Sequence, residues 1–372
     1  MSDGKVKLVA VGDLMLGEDP FVLGHGVASM TRKKGCDFFF EKTKEYLRDG
    51  DIVCGNLEGI ISARKQNENG IASKVFRGEP ECAGAIKRAG FNCIFLSNNH
   101  MAQHGVDALK RTCDLLNENN IKWVGYNPSD AARSVPVIFD KGGVRIGILA
   151  YCETQQYNLE TKILPIICIE RIKNDIALLK EQCDVVVISL HWGDEFIDYP
   201  SLEQMDIAHE IIDTGANLIL GYHPHTLQGI EEYNNGLIIY SLSSFISNLW
   251  RKEKEMRESV IFTCELTKDG VNNFEFIPVE INKNFQPKSC AEQDKIDFNK
   301  RLKFLSDKIQ ANKCLDQDVF KLKYDSDVKY LAKMDRVDNF KYYIRNFFRY
   351  DKKLLLEHFL LILKRRLYKK NI

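Results

Sequence analysis

Short apolar runs alternate with stretches whose apolar positions recur at helical spacing through the first 225 or so residues. KLVAVGD (Lys7 to Asp13) and DIVCGNLE (Asp51 to Glu58) read as strands. Glu79 to Gly90 reads as a helix closed by glycine, followed by a strand that ends before Asn98. Val106, Leu109, Cys113 and Leu116 predict a helix over Gly105 to Asn119. Further helices are expected at Ile169 to Gln182 and Leu202 to Thr214, each leading into an apolar strand. VIFDKGGVRIGILAY predicts two strands about a Gly-Gly turn. After Thr226 the pattern changes to hairpins: GIEEYNNGLIIYSLSSF turns at Asn-Gly and VIFTCELTKDGVNNFEFIPVEI at Asp-Gly. A βαβ half followed by an antiparallel half predicts two sheets packed face to face with helices outside. Asn284 to about Asp318 is polar and marks a boundary, giving a main domain over 1–285 and a linker with a helical, basic tail over 286–372.

Composition changes this picture in two places. The chain is formally neutral, but Lys321 to Ile372 carries 15 Lys/Arg against 6 Asp/Glu, so the preceding residues are acidic by as much. Opposite signs in two parts of one chain suggest a tail with its own partner. Eleven cysteines cannot all pair internally, and Cys54, Cys93, Cys152, Cys168 and Cys264 sit in apolar runs without any CxxC spacing. That usage points to a reducing compartment. The first strand follows the N-terminus directly, and no run reaches the roughly 18–20 apolar residues that span a bilayer. A cytoplasmic protein is expected.

The candidate chemistry lies where apolar runs end. In open α/β sheets, ligands bind at the carboxyl ends of strands. Asp13 follows VAVG, with the glycine read as permitting a sharp exit; an ordinary helix-capping aspartate is the plain alternative. Asn56 and Glu58 in GNLEG fall on one face if the backbone is extended, and both offer oxygen ligands, although a turn also explains them. SNNH places Asn98, Asn99 and His100 after CIFL; an asparagine turn accounts for the first two but not for the histidine. His191 ends VVVISL, with Trp192 expected to pack and Asp194 and Glu195 to lie in a solvated loop. His223 and His225 flank Pro224, and an extended H-x-H puts both imidazoles on one side. His25, His104, His209 and His358 are read as ordinary loop, helix and tail residues. Five strand ends together offer more ligands than the four or so that one zinc-type ion takes. Two ions about 3.5–4 Å apart, able to clamp attacking and leaving oxygens, are therefore expected. Mixed nitrogen and oxygen donors suit manganese, iron or zinc.

The succession GDLMLG, GNLEG, LSNNH, SLHWG, GYHPHTLQGIE and IIYSLSSF, from about Val6 to Phe245, resembles the CapA family of bacterial poly-γ-glutamate capsule synthesis, within the calcineurin-like metallophosphatase superfamily. The resemblance implies a four-layer αββα sandwich with a dinuclear metal centre, here carrying a C-terminal helical extension. It implies metal ligation by Asp13, Asn56, Glu58, Asn99, His191, His223 and His225. Asp13 and His100 are the implied catalytic residues, with His100 assisting the leaving group. Metallophosphatases have a histidine two positions after the first aspartate and an aspartate in the second motif; this chain has Met15 and GNLE. CapA proteins commonly carry an N-terminal membrane anchor, which this sequence does not show ahead of its first strand.

These features predict a metal-dependent hydrolase acting on a phosphoester or amide, with a polymer or small-molecule substrate of capsule, poly-γ-glutamate or cell-envelope type. The competing reading is a non-catalytic, metallophosphatase-like accessory protein in polymer synthesis or export. The tail FKYYIRNFFRYDKKLLLEHFLLILKRRLYKK (Phe340 to Lys370) is read first as a helix docked on the main domain and second as an interfacial helix on anionic lipid. No nucleic-acid recognition motif is present, and the sequence does not specify an oligomer.

Overall fold

The computed structural model describes residues 4–63, 75–153, 163–249 and 254–350, together with Leu356 and Leu360. The first half runs β1 (Val6–Leu14), α1 (Val27–Lys34), α2 (Lys44–Leu47), β2 (Ile52–Leu57), β3 (Ile60–Ile61), β4 (Arg77–Gly78), α3 (Cys82–Ala89), β5 (Cys93–Phe95), α4 (Val106–Glu118) and β6 (Lys122–Val124). The hairpin β7 (Val137–Lys141) and β8 (Val144–Cys152) then leads to α5 (Ile169–Lys180), β9 (Val185–His191), α6 (Leu202–Asp213) and β10 (Leu218–Tyr222). Short strands follow: β11 (Ile230–Tyr233), β12 (Gly236–Ile239) and β13 (Ser244–Ile246). The chain ends through β14 (Glu258–Thr267), β15 (Gly270–Ile281), β16 (Pro287–Ser289), α7 (Glu292–Lys313) and α8 (Gln317–Arg345).

One sheet has the order β16-β15-β14-β1-β2-β5-β6, with β13 added alongside β1; the other has β11-β12-β10-β9-β8-β7. β1, β2 and β5 are parallel, as are β8, β9 and β10, so each sheet presents a row of carboxyl ends. The period-2 pattern of the strands decides the layers. In β1, Leu8 and Ala10 face the second sheet, where they meet side chains such as Ile148, Val187 and Leu220. Val9 and Val11 face the other way, onto Ile86 of α3 and Leu109 and Leu116 of α4. In β9, Val186 and Ile188 face Ile172 and Ile176 of α5 and Met205 and Ile211 of α6. Three apolar layers separate helix, sheet, sheet and helix, which is the expected αββα sandwich. A one-residue slip of β1 would exchange its two faces. With each fully buried aliphatic side chain contributing about 1.5–3 kcal/mol, that register is firmly held.

The three predicted hairpins form, with Lys141 paired to Val144, Tyr233 to Gly236 and Thr267 to Gly270. The polar stretch read as a boundary is ordered: β16 pairs with β15, and the 22 residues of α7 bury Phe298, Leu305 and Ile309 against the body. Cys168, although in an apolar run, is exposed at the start of α5. α8 docks through Phe320 and Tyr324 on the helices of the second sheet. Further on, the Tyr342 hydroxyl lies 3.1 Å from His25 Nε2, and the Tyr350 hydroxyl donates to the Phe21 carbonyl. His25 is thus a half-buried contact of the C-terminal helix, not a solvated loop residue. His358 and most of Leu354 to Leu363 lie outside the described residues. No helix among the described residues is long and apolar enough to cross a membrane.

Candidate metal centre

The carboxyl ends of β1, β2, β5, β9 and β10 converge where the two sheets meet, and each delivers its predicted side chains to one buried cluster. Asp13 closes β1, Glu58 follows β2, Asn98 to His100 follow β5, His191 ends β9, and His223 and His225 follow β10. Gly12 and Gly221 make this convergence possible, for a reason the sequence reading had wrong. A Cβ on Gly12 would lie 2.1 Å from the Ser243 carbonyl oxygen, and one on Gly221 1.9 Å from that of Tyr240. The requirement is close backbone approach, not a sharp exit; Asp13 N–H donates to that Ser243 carbonyl at 3.0 Å.

Two groups of ligand atoms form, each within 4.8 Å: Asp13, Glu58 and His225, and Glu58, His191 and His223. Glu58 belongs to both. Glu58 Oε1 lies 3.7 Å from His100 Nε2, 3.9 Å from His191 Nε2 and 3.7 Å from His225 Nε2. Glu58 is fully buried, and neither carboxylate oxygen has a hydrogen-bond partner. His223 Nδ1 and Asn99 Nδ2 are also buried without a hydrogen bond. A buried carboxylate without donors is strongly unfavourable unless a cation balances it. The orphaned oxygens and the imidazoles around them therefore fit divalent metal.

His223 and His225 do not form an extended H-x-H. Their φ angles are +97° and +56°, in the left-handed region that non-glycine residues avoid. This twist about Pro224 sends the two rings to different ligand groups, their centroids 5.9 Å apart. Such strain persists only where surrounding structure enforces it, and it gathers at functional sites.

Asn56 reaches the cluster beside Asp13 and His191. Its Nδ2 donates to Asp13 Oδ1 at 2.8 Å and lies 3.3 Å from His191 Nδ1, while its Oδ1 accepts from Asn98 Nδ2 at 3.1 Å. With both ends of the amide engaged, Asn56 orients Asp13 and His191. Asn98 also donates to the Leu57 carbonyl at 2.8 Å, fixing the turn that carries Glu58. His191 Nε2 lies 3.0 Å from Asn99 Oδ1, which places that oxygen beside the second group. His100 Nδ1 lies 3.1 Å from Gln103 Oε1, so this nitrogen carries the proton and Nε2 turns its lone pair toward Glu58. The Phe76 ring stacks on His100 at 3.8 Å between centroids, with Phe76 at φ +52°. Gln103, Phe76 and Ser244, whose hydroxyl lies 3.2 Å from His225 Nδ1, were not singled out from sequence. Gln103 had a signal in its three-residue spacing from His100; the other two had none. Asp194 and Glu195 are exposed as expected, yet the Glu195 charge is felt at Glu58 and His225.

Burial lowers His223 to about 3 and His100 to about 4, and drives His191 well below its usual value, with neighbouring imidazoles adding to the effect. Burial alone would lower His225 too, but the Glu58 and Asp13 carboxylates outweigh it and raise the group to about 10. Burial likewise raises the Glu58 carboxyl. The metal-free Glu58–His225 pair therefore holds one proton at neutral pH that a ligand set must surrender. Metal binding at pH 7 is expected to release about one proton per protein, read from the buffer dependence of the binding enthalpy. Affinity should accordingly rise with pH and level off near pH 10, where His225 loses its proton unaided. Uptake of metal with no proton released would count against this assignment.

The bacterial capsule synthesis protein PGA_cap family model matches residues 7–249, a span that contains every residue of the cluster. The chain belongs to this family. Among its relatives, the capsule biosynthesis protein CapA of Bacillus anthracis is 27% identical over 302 residues, covering 78% of this chain and 71% of its own. The PGA biosynthesis protein CapA of Bacillus subtilis is 30% identical over 290 residues, covering 76% and 73%. A solved 5'-nucleotidase from Candida albicans is a remote neighbour, with a TM-score of 0.41 and 11% identity over 82% of this chain and 59% of its own.

Proposed function

We propose that this PGA_cap protein is a metal-dependent hydrolase of a phosphoester or amide in capsule, poly-γ-glutamate or cell-envelope polymer metabolism. The observation that carries the reading is Glu58, a buried carboxylate without hydrogen bonds that belongs to two ligand groups at once. The names of the Bacillus relatives support the polymer context.

Asp13, Glu58 and His225 would hold one divalent ion, and Glu58, His191 and His223 a second, with Asn99 Oδ1 at hand. Bound ions of the manganese, iron or zinc kind supply positive charge that acidifies water and polarises a phosphoryl or acyl oxygen. The protein does the rest. Asn56 holds the Asp13 carboxylate, and Asn98 holds Asn56, so the ligands meet a substrate without reorganising. His100 is neutral at physiological pH, and it would accept a proton from attacking water and return it to the leaving oxygen or nitrogen. Stacking on Phe76 keeps that ring in plane with its task.

The test combines metal analysis of protein purified without chelator with manganese-dependent turnover of an aryl phosphodiester and of a γ-glutamyl anilide. The proposal expects bound transition metal and cleavage of one of the two compounds, lost by at least about a hundredfold in His223→Ala. Stoichiometric metal with neither compound cleaved would favour the accessory reading.

A further inference from the structure

α8 is apolar on two opposite faces, and among the described residues only one of them is covered. Phe320 and Tyr324 are buried against the second-sheet helices. At 3.6 residues per turn, Val319, Leu322, Tyr330, Val337, Phe340 and Ile344 fall in a single sector of about 100°, roughly half a turn away from that buried side. All six are exposed, Leu322 by 72% and Phe340 by 64%. In the turn after α8, Phe347 is exposed and Phe348 is 98% exposed. Isolated surface leucines are ordinary, but exposed aromatic and aliphatic residues recurring along one helix face mark an interaction surface.

Charge identifies the partner. Lys329 and Lys333 lie within the same sector, Lys323 and Lys341 border it, all four are exposed, and no Asp or Glu of α8 falls inside it. Residues 340–372 carry 10 Lys/Arg against 2 Asp/Glu. A protein partner, or a second copy paired along this stripe, would have to bury Lys329 and Lys333. A lipid surface would not: their stems lie along the acyl boundary while the ammonium groups reach the headgroups.

We propose that the outward face of α8 is a docking surface for anionic lipid, binding in the interfacial plane with its aromatic end at Phe340 to Phe348 inserted. The inference is independent of the metal centre.

The test is co-sedimentation of the full chain with phosphatidylcholine vesicles, with and without about a third phosphatidylglycerol, at low salt and at about 0.5 M salt. Binding is expected only to the anionic vesicles and should weaken at high salt. The triple variant Phe340→Ser, Ile344→Ser, Phe348→Ser should lose at least about tenfold in partitioning, as should Lys329→Glu with Lys333→Glu, while Phe348→Leu retains binding. All these positions are exposed, so matched thermal melts are expected across the set. Failure to bind anionic vesicles, or equal binding by the parent and both multiple variants, would overturn the proposal. A concentration-dependent dimer that the serine variant dissolves, without vesicle binding, would assign the face to a second copy instead.

Discussion

Glu58→Gln is expected to weaken divalent metal binding by more than about a hundredfold and to abolish metal-dependent turnover with it. Glutamine matches glutamate in shape but removes the charge shared by both ligand groups. Losing a ligand from one group would spare the other; losing the shared one should empty both. The metal-free protein should respond in the opposite sense. Glu58 and His225 share one proton there, and with an amide in place of the carboxylate Asp13, 3.4 Å from His225 Nδ1, still balances any charge that His225 keeps. The metal-free variant should therefore melt no lower than the metal-free parent by calorimetry, while the gain in melting temperature on adding manganese disappears. A general folding defect would lower both curves. A variant that still takes up two equivalents of metal would remove Glu58 from the centre.

Gly12→Ala should be among the most damaging single substitutions in the chain, although it adds one methyl group. That methyl would sit 2.1 Å from the Ser243 carbonyl oxygen and 2.8 Å from the Leu242 carbonyl oxygen, both backbone. Neither can withdraw easily, because Asp13 and Leu14 pair with Ser244 and Ile246 in β13. A loss of about 3 kcal/mol or more in urea unfolding is expected, with displacement of Asp13 and loss of metal uptake. Gly84→Ala is the matched contrast. Gly84 lies inside α3, where a new Cβ meets only the far end of the exposed Arg88 side chain at 3.0 Å and Asn119 Oδ1 at 3.4 Å, and helix propensity favours alanine by about 0.5–1 kcal/mol. Opposite signs at two glycines would separate close approach from conformational freedom; a neutral Gly12→Ala would contradict the packing described.

The sequence was most legible where one physical signal dominates. Short apolar runs placed β1, β9 and β10, and the Gly-Gly, Asn-Gly and Asp-Gly turns placed the hairpins, because these signals are local. The positions of Asp13, His191 and His223 at strand ends were legible for the same reason. Contacts across the sheets were not. Nothing near Gly12 signals the Ser243 carbonyl beside it, so its role was misread as a turn. Pro224 suggested an extended H-x-H, but positive φ at both flanking histidines directs them to separate ligand groups. Asn56 was legible as a polar residue at a strand end, but its hydrogen bonds to Asp13 and Asn98, both distant in sequence, were not. Within α7, Phe298, Leu302, Leu305 and Ile309 do keep helical spacing, but long polar intervals dilute the pattern and made the segment read as a linker.

The most direct test of the centre is a crystal structure of manganese-loaded protein with an anomalous difference map. Two peaks about 3.5–4 Å apart, one on each side of the Glu58 carboxylate, are the predicted result. A peak elsewhere, or density that leaves Glu58 uncoordinated, would contradict the dinuclear assignment.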